Sequence, residues 1–296
     1  MILLLIINRI EAGMGKNKTE LVVKSNRLVE ASYRLNLVEQ QIILFAICRS
    51  REEQKGFTSN TPVTIRAADF AAQFGANTDR VYSQLKEAVD TLYDRSVTTY
   101  DIHPESGKER VTKTRWISQA SYIDGEGCIQ FIFAPKVIPF IRRLGDDSGF
   151  TSYRLEKIGG MTSAHAVRIY ELLVQYLSIG KREIEIAWFR KTLELDGQYK
   201  AIKDLKKYVI DLAVDQINEH SDIAVSYTQR KTGRTISHLI FDIKAKPEPK
   251  KIAVKPKKQV IDRDYVNLHA RPGETYQQAF KRLLEDAGQQ RLPEVA

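Results

Sequence analysis

The chain has 296 residues, of which 43% are hydrophobic, and this size and composition favour two folded domains over a disordered chain. Its 46 lysines and arginines exceed its 37 aspartates and glutamates, which gives a net charge of +9 and favours a polyanionic partner. Cys48 and Cys128 lie in apolar runs without metal-ligand spacing, which argues against a zinc site and against a disulfide-stabilised secreted fold.

The N-terminal segment, residues 1–23, is predicted to be a flexible leader. Its apolar run, Ile2–Ile7, is far too short to span a membrane and lacks the flanks of a secretory signal. A cytoplasmic protein without a membrane partner is therefore expected. Both Met1 and Met14 fit as the first residue of the natural chain.

A glycine-containing segment of the leader, Gly13–Lys16, partly matches a nucleotide-binding P-loop. That motif requires a glycine where Ile10 stands and a serine or threonine where Asn17 stands. The segment is therefore interpreted as part of the leader. We expect no nucleotide and no other cofactor or metal.

The first half of the chain predicts a helix, a strand, two further helices and then several strands. In order, the patterns indicate a helix within Asn26–Arg51, a strand at Pro62–Ile65, a helix that ends at Gly75 and a helix capped by Thr78 or Asp79. After Arg95 the spacing of apolar residues changes to that of strands. Val97–Ile102 and Trp116–Tyr122 are predicted to flank a polar tip at Pro104–Arg110, and Cys128–Phe133 is a further strand.

The second half repeats this order of elements. The patterns indicate a helix capped by Thr162 or Ser163, a strand at Glu183–Ile186, a short helix at Trp188–Leu195, a long helix from Lys200 to Glu219, and a hairpin of Ile223–Tyr227 and Ile236–Ile243. In the long helix, Ile202, Leu205, Val209 and Leu212 are expected to face the core. The repeated order indicates two homologous modules.

Helix, strand, helix, helix and hairpin form a winged helix, whose third helix enters the major groove of DNA. The predicted fold class is therefore α+β, with two tandem winged-helix domains and a basic C-terminal tail. Domain one covers residues 24–145 and domain two covers residues 146–246. Residues 247–296 are predicted to be a basic flexible linker with a short tail helix.

Lysine is concentrated where domain two needs a DNA-reading helix. We expect the start of the long helix to contact bases and phosphates, because the groove accepts a polar, basic helix face. The hairpin tip adds further cations that can grip phosphate or enter the minor groove. The candidate DNA-binding residues of domain two are Tyr199, Lys200, Lys203, Lys206, Lys207, Arg230, Lys231 and Arg234.

Domain one is less basic at the matching places. Arg80 and Lys86 of its third helix, and Lys108 and Arg110 of its predicted tip, are the candidate contacts there. Acidic residues balance these cations, so domain two is expected to carry most of the sequence reading. Domain one is expected to supply backbone contacts or a protein–protein surface.

Three stretches of the chain resemble the iteron-binding plasmid replication initiators, the family of RepE-type and pi-type proteins. They are Asn26–Ala31 with Glu39–Gln40, Ser163–Leu173, and Tyr199–Lys207 with Val209–Ile210 and Ala213–Asn218. The likeness extends from about Lys24 to Lys246. This chain has Leu212 where a proline is common in the family.

The resemblance implies a monomer that binds direct repeats at a plasmid origin, bends and helps open the DNA there, and recruits the host helicase and the DnaA initiator. It also implies a dimer, formed mainly through domain one, that binds an inverted repeat at its own promoter and represses its own gene. No enzymatic activity is implied.

Two other functions remain open from the residues alone. A dedicated winged-helix transcription repressor would have the same modules. A tyrosine nickase of the rolling-circle type would need a metal held by paired histidines, whereas the five histidines of this chain are scattered.

Overall fold

The computed structural model describes residues 20–76, 78–123, 125–142, 149–247, 266, 269, 271 and 274–286. They fall into two compact units, Met1–Pro247 and Glu248–Ala296. Most of the leader and most of the predicted linker therefore lie outside the described residues. No described helix combines the length and the apolar character needed to cross a bilayer.

The first module is built from helices and two small sheets. Its elements are β1 (Leu21–Ser25), α1 (Asn26–Val29), α2 (Leu37–Glu53), β2 (Val63–Arg66), α3 (Ala67–Phe74), α4 (Thr78–Asp94), β3 (Ser96–Ile102), β4 (Glu109–Arg115), β5 (Ile117–Ile123), β6 (Cys128–Phe133) and α5 (Ile138–Arg142). The sheet order β2-β6-β5 packs behind α2, α3 and α4. The arrangement is a winged helix.

The second module has the same topology. Its elements are β7 (Phe150–Arg154), a 3-10 turn (Leu155–Ile158), α6 (Ala164–Val174), β8 (Lys181–Glu185), α7 (Ile186–Thr192), α8 (Ile202–His220), β9 (Ile223–Thr232) and β10 (Thr235–Ala245). Its sheet order, β8-β10-β9, corresponds strand for strand to β2-β6-β5. The predicted duplication and the predicted α+β fold are confirmed.

The first predicted helix is in fact two helices. Ser25 caps the short α1 through its side chain, and Asn36 begins α2 with a capping box in which Asn36 and Glu39 each accept a backbone hydrogen bond from the other. A reciprocal box of this kind satisfies two donors that the start of a helix leaves unpaired. The chain therefore restarts a helix at Leu37 rather than continuing from Asn26.

The hairpin predicted between Val97–Ile102 and Trp116–Tyr122 is wrong. β3 pairs with β4, and β5 pairs with β6, so strand β4 lies between the two predicted strands and begins at Glu109, inside the segment that was predicted to be the tip. β4 is largely exposed on both faces and has no apolar alternation, which is the signal that would have revealed it. The wing of module one is β5–β6, and β3–β4 is an additional hairpin.

The helix α8 runs from Ile202 to His220 and is interrupted by π-helical geometry. Ile202–Leu205 and Leu212–His220 are α-helical, and Lys206–Asp211 between them is π-helical. One extra residue in a helix rotates the following side chains by about 100°. Ile210 and Ala213 therefore face the core, and Leu212, which was predicted to be buried, is 42% exposed.

Two strands join the modules into one unit. β1, which precedes module one, pairs antiparallel with β7, which precedes α6 in module two. Val22 and Val23 of β1 are buried, so β1 begins within the segment 1–23 that was predicted to be a flexible leader. One continuous hydrophobic cluster includes side chains of both modules.

A buried ionic network also links the modules. Glu171 of α6 accepts hydrogen bonds from Lys24 Nζ at 2.8 and 2.9 Å and from the Tyr153 hydroxyl at 2.7 Å. Arg168 donates to the carbonyl oxygens of Val29 at 3.1 Å and Ala31 at 3.0 Å, and lies 3.3 Å from Glu171. Burial lowers the pKa of Lys24 to about 8. The network fixes the chain around α1 onto α6.

The tail helix lies in the second unit. α9 spans Tyr276–Asp286, close to the predicted position, and buries Ala279 and Leu283. Arg282 of α9 forms an ion pair at 2.8 Å with Glu274, which precedes the helix. Neither residue belongs to the candidate DNA-binding set.

Candidate nucleic-acid interface

The turn between α7 and α8 has an unusual backbone that one arginine holds in place. Tyr199 has φ 47°, in the left-handed region that non-glycine residues rarely adopt. Arg190 of α7 donates hydrogen bonds to the carbonyl oxygens of Gln198 at 2.9 Å, Tyr199 at 2.6 Å and Lys200 at 3.4 Å. Arg190 therefore positions the segment from which α8 begins.

Arg190→Ala is expected to weaken DNA binding about tenfold, because three carbonyl groups lose a charged donor and the start of α8 loses its fixed position. Lys244→Ala is a charge-matched control, since Lys244 is exposed on β10 far from this turn in sequence. Equilibrium binding to duplex DNA at constant salt measures both variants. An equal loss in the two variants would contradict the positioning role.

The lysines at the start of α8 have different surroundings. Lys200, Lys203 and Lys207 are exposed, and Lys200 and Lys203 have no ion pair within the described part of the chain. Lys206 is half-buried, donates to Gln229 Oε1 at 3.3 Å and lies over the Tyr227 ring. The structure therefore presents three of the predicted lysines to solvent and ties the fourth to the wing.

Contacts along one side join α8 to its wing. The Tyr227 hydroxyl on β9 donates to Asp211 Oδ1 at 2.6 Å. Lys207 lies 4.8 Å from the centre of the Tyr208 ring, and Tyr208 is in turn near the predicted contact Tyr199, with 6.2 Å between the two ring centres. The basic end of α8 and the wing therefore form one connected surface.

The wing of module two carries two exposed cations at its tip. β9 and β10 are joined at a tight turn in which Gly233 has φ 62°, and Arg234 lies next to it. Lys231 and Arg234 are exposed. Arg230 is engaged instead with Glu183 of β8, at 2.6 Å. The tip therefore offers Lys231 and Arg234, while Arg230 contributes to the sheet.

The candidate residues of α4 in module one are also divided. Arg80 is exposed near the start of the helix. Lys86 lies over the Tyr122 ring of β5, 5.0 Å from its centre, and the Tyr122 hydroxyl donates to Asp90. Lys86 is therefore packed between the helix and the wing of this module.

Lys108 and Arg110 belong to the additional hairpin β3–β4 and not to the wing. Lys108 is exposed, whereas Arg110 donates to Asp101 Oδ1 at 2.8 Å. Arg27 of α1 also pairs with Asp101, at 2.6 Å. Hydrogen bonds from Arg110, with the charge of Arg27, lower the pKa of Asp101 to about 2. Arg110 is therefore paired with Asp101, whereas Lys108, the other predicted contact, is not paired with Asp101.

Arg190 is the residue that reasoning from the sequence missed. It lies in a short helix directly after Trp188 and Phe189, and its acceptors are carbonyl oxygens, which no side-chain pattern reveals. The pairing of Arg230 with Glu183 was missed for a similar reason, because the two residues are 47 positions apart.

Comparison with known protein families agrees with this architecture. The model of the WH1 domain of initiator replication proteins matches residues 21–174, and the model of the WH2 domain of initiator Rep proteins matches residues 185–243. The chain belongs to the initiator replication protein family. The resemblance inferred from the three sequence stretches is thereby confirmed.

Individual relatives are distant. An uncharacterised 27.6 kDa protein of Escherichia coli is 24% identical over 233 residues, which cover 76% of this chain and 95% of that protein. The crystal structure of Pi initiator protein in complex with iteron DNA is 21% identical, with a TM-score of 0.59, and covers 79% of this chain and 100% of its own. The WH1 domain of the MSBI1.176 replication protein, isolated from a multiple sclerosis patient, is 38% identical with a TM-score of 0.33, and covers 37% of this chain and 82% of its own.

Proposed function

We propose that this initiator binds repeated double-stranded DNA sites at a plasmid origin and remodels the DNA there. The observation that carries the proposal is the exposed basic start of α8, with Lys200, Lys203 and Lys207 at the position of a DNA-reading helix. The similar fold of the Pi initiator, which was crystallised with iteron DNA, supports it.

The two modules have different roles in this proposal. Domain two, residues 146–246, reads sequence through α8 and grips phosphate with Lys231 and Arg234. Domain one, residues 24–145, adds backbone contacts through Arg80 and Lys108 and the dimer interface. Two winged helices within one compact unit engage successive stretches of a duplex, and binding at two places supports bending and opening of the adjacent DNA.

The proposed dimer forms through domain one and represses the protein's own gene from an inverted repeat. Strand β4 supports this role, because it pairs only with β3 among the described strands and leaves one edge of the hairpin open. Val111 is 58% exposed and Ile102 is 65% exposed on the same hairpin. An open edge flanked by exposed apolar side chains is a template for pairing with a second chain. The monomer is proposed to recruit the host helicase and DnaA.

Footprinting of the full-length protein on its own gene and flanking DNA, across a salt series, tests the proposal. Protection of regularly spaced direct repeats is the expected result. Protection of a single inverted repeat alone would favour a dedicated repressor, and the absence of protection above background would reject sequence-specific binding. Incubation with supercoiled plasmid and Mg²⁺ tests the nickase alternative, since nicking converts the supercoiled form into open circles.

A further inference from the structure

A cavity of about 320 Å³ lies between the two modules, away from the basic start of α8 in sequence. Module one supplies the segment Tyr33–Asn36 together with Gln40 and Arg95, and module two supplies Ala164, His165, Arg168 and Leu193. Its volume is within the range of roughly 300–1,000 Å³ that is typical of small-molecule sites. The proposed DNA-binding role of α8 and the wing does not use any of these residues.

Positive charge dominates the lining of this cavity. Arg34, Arg95, Arg168 and His165 line it, and none of the described residues that line it is acidic. Arg95 is paired with Glu39 at 2.9 Å, and Arg168 with Glu171 at 3.3 Å. Neither of these two glutamates lines the cavity. Arg34 is exposed and has no hydrogen bond or ion pair within the described chain. The cavity therefore has a cation available for an anionic ligand.

Two helices begin at the cavity. Asn36 is the N-cap of α2, which has 17 residues, and Ala164 is the first residue of α6, which has 11. The amide groups of a first helical turn and the helix dipole both favour a negative charge at that end. The first turn of α2 already holds the Glu39 carboxylate in its capping box, whereas the first turn of α6 contains no acidic residue. The start of α6 therefore adds to the field of the arginines.

One buried polar group at the cavity is incompletely satisfied. Arg168 is 3% exposed, and its Nε has no hydrogen-bond partner among the described residues, although both of its terminal nitrogens are engaged. Burial and the neighbouring charge of Arg34 lower the pKa of His165, which favours the neutral form of its ring. The positive charge at the cavity therefore comes from its arginines, and a bound anion would stabilise it.

From these observations we infer that the cavity between the modules is a phosphate-binding site, with Arg34 as its principal ligand. Arg34 and the start of α6 hold the oxygens of a phosphate group, and Arg95 and the ring of His165 complete the wall of the site. A guanidinium group binds phosphate with two parallel hydrogen bonds, which suits Arg34 better than a lysine. The phosphate comes from a free polyphosphate compound or from the DNA backbone.

Calorimetric titration of the full-length protein with inorganic pyrophosphate, in chloride buffer at constant ionic strength, tests this inference. Saturable binding at one site is expected, and Arg34→Ala is expected to weaken it at least about tenfold, because the substitution removes both hydrogen bonds of the guanidinium group. Two controls also remove one positive charge each and are expected to leave the affinity unchanged. They are Arg154→Ala, on the exposed side of β7, and Lys244→Ala, on the exposed side of β10.

The outcomes separate a built site from general attraction to a basic chain. An absence of saturable binding at millimolar pyrophosphate, or an equal loss in Arg34→Ala and the two controls, would overturn the inference. Repeating the titration with excess double-stranded DNA identifies the source of the phosphate. Loss of pyrophosphate binding assigns the site to the DNA backbone, and retention assigns it to a free phosphate compound. Either result supports the site, and neither depends on the footprinting experiment.

Discussion

Glu171→Gln is expected to lower the free energy of unfolding by about 3–5 kcal/mol, because it removes one partner of a buried ionic network and leaves the others uncompensated. Glu171 is 1% exposed and is the only carboxylate among the network residues Lys24, Tyr33, Tyr153 and Arg168. After the substitution, two cations remain buried with a neutral amide. Reversible denaturation in urea at pH 7 measures the change.

A matched substitution separates burial from pairing. Glu183 is also ion-paired with an arginine, but its side chain is 44% exposed, so Glu183→Gln is expected to cost about 0–1 kcal/mol. A similar cost for the two variants would show that Glu171 does not hold the modules together. Because the network joins β1 and the chain around α1 to α6, the substitution at Glu171 is expected to destabilise both modules together.

The same network predicts how stability depends on pH. Burial alone raises the pKa of Glu171, but the charges of Lys24 and Arg168 and the hydrogen bonds it accepts bring the pKa below its usual 4.5. A carboxylate with a lowered pKa stabilises the fold above its unfolded pKa and loses that contribution as the pH falls. The gap in stability between the natural protein and Glu171→Gln is therefore expected to narrow as the pH falls below about 4.5. A constant gap would contradict this.

The double variant Lys203→Ala, Lys207→Ala is expected to weaken specific DNA binding by about 100-fold, since each side chain that contacts bases or phosphates contributes about 1–3 kcal/mol. Both lysines are exposed on the first turns of α8. The loss of sequence preference should accompany the loss of affinity. Competition between the footprinted site and unrelated DNA measures both quantities.

A second double variant, Lys257→Ala, Lys258→Ala, removes the same charge from the predicted basic linker, which lies outside the described residues. It is expected to reduce general, salt-sensitive affinity and to leave sequence preference unchanged. Each phosphate contact that is lost lowers the slope of log affinity against log salt by about one unit. If the two double variants lose affinity equally and keep the same preference, α8 is not the reading helix.

Local patterns in the sequence were sufficient for much of the fold. The order of β2, α3, α4, β5 and β6 in module one and of α6 to β10 in module two follows from apolar spacing. The start of α6 follows from Ser163, whose side chain caps the helix. The end of α3 follows from Gly75, with φ 65°. The sequence also predicts the basic start of α8, through Lys200, Lys203 and Lys207. These features depend on residues a few positions apart, which is why the sequence alone determines them.

Tertiary structure decided what depends on distant partners. β4 is a strand only because β3 pairs with it, and the π-helical stretch that turns Leu212 outward is not encoded in apolar spacing. Arg230 was predicted to meet DNA, but Glu183 across the sheet engages it. The ion pair of Lys24 with Glu171 joins residues 147 positions apart. Such contacts form only after the chain collapses, because burial and strand pairing bring together charges and edges that no local pattern relates.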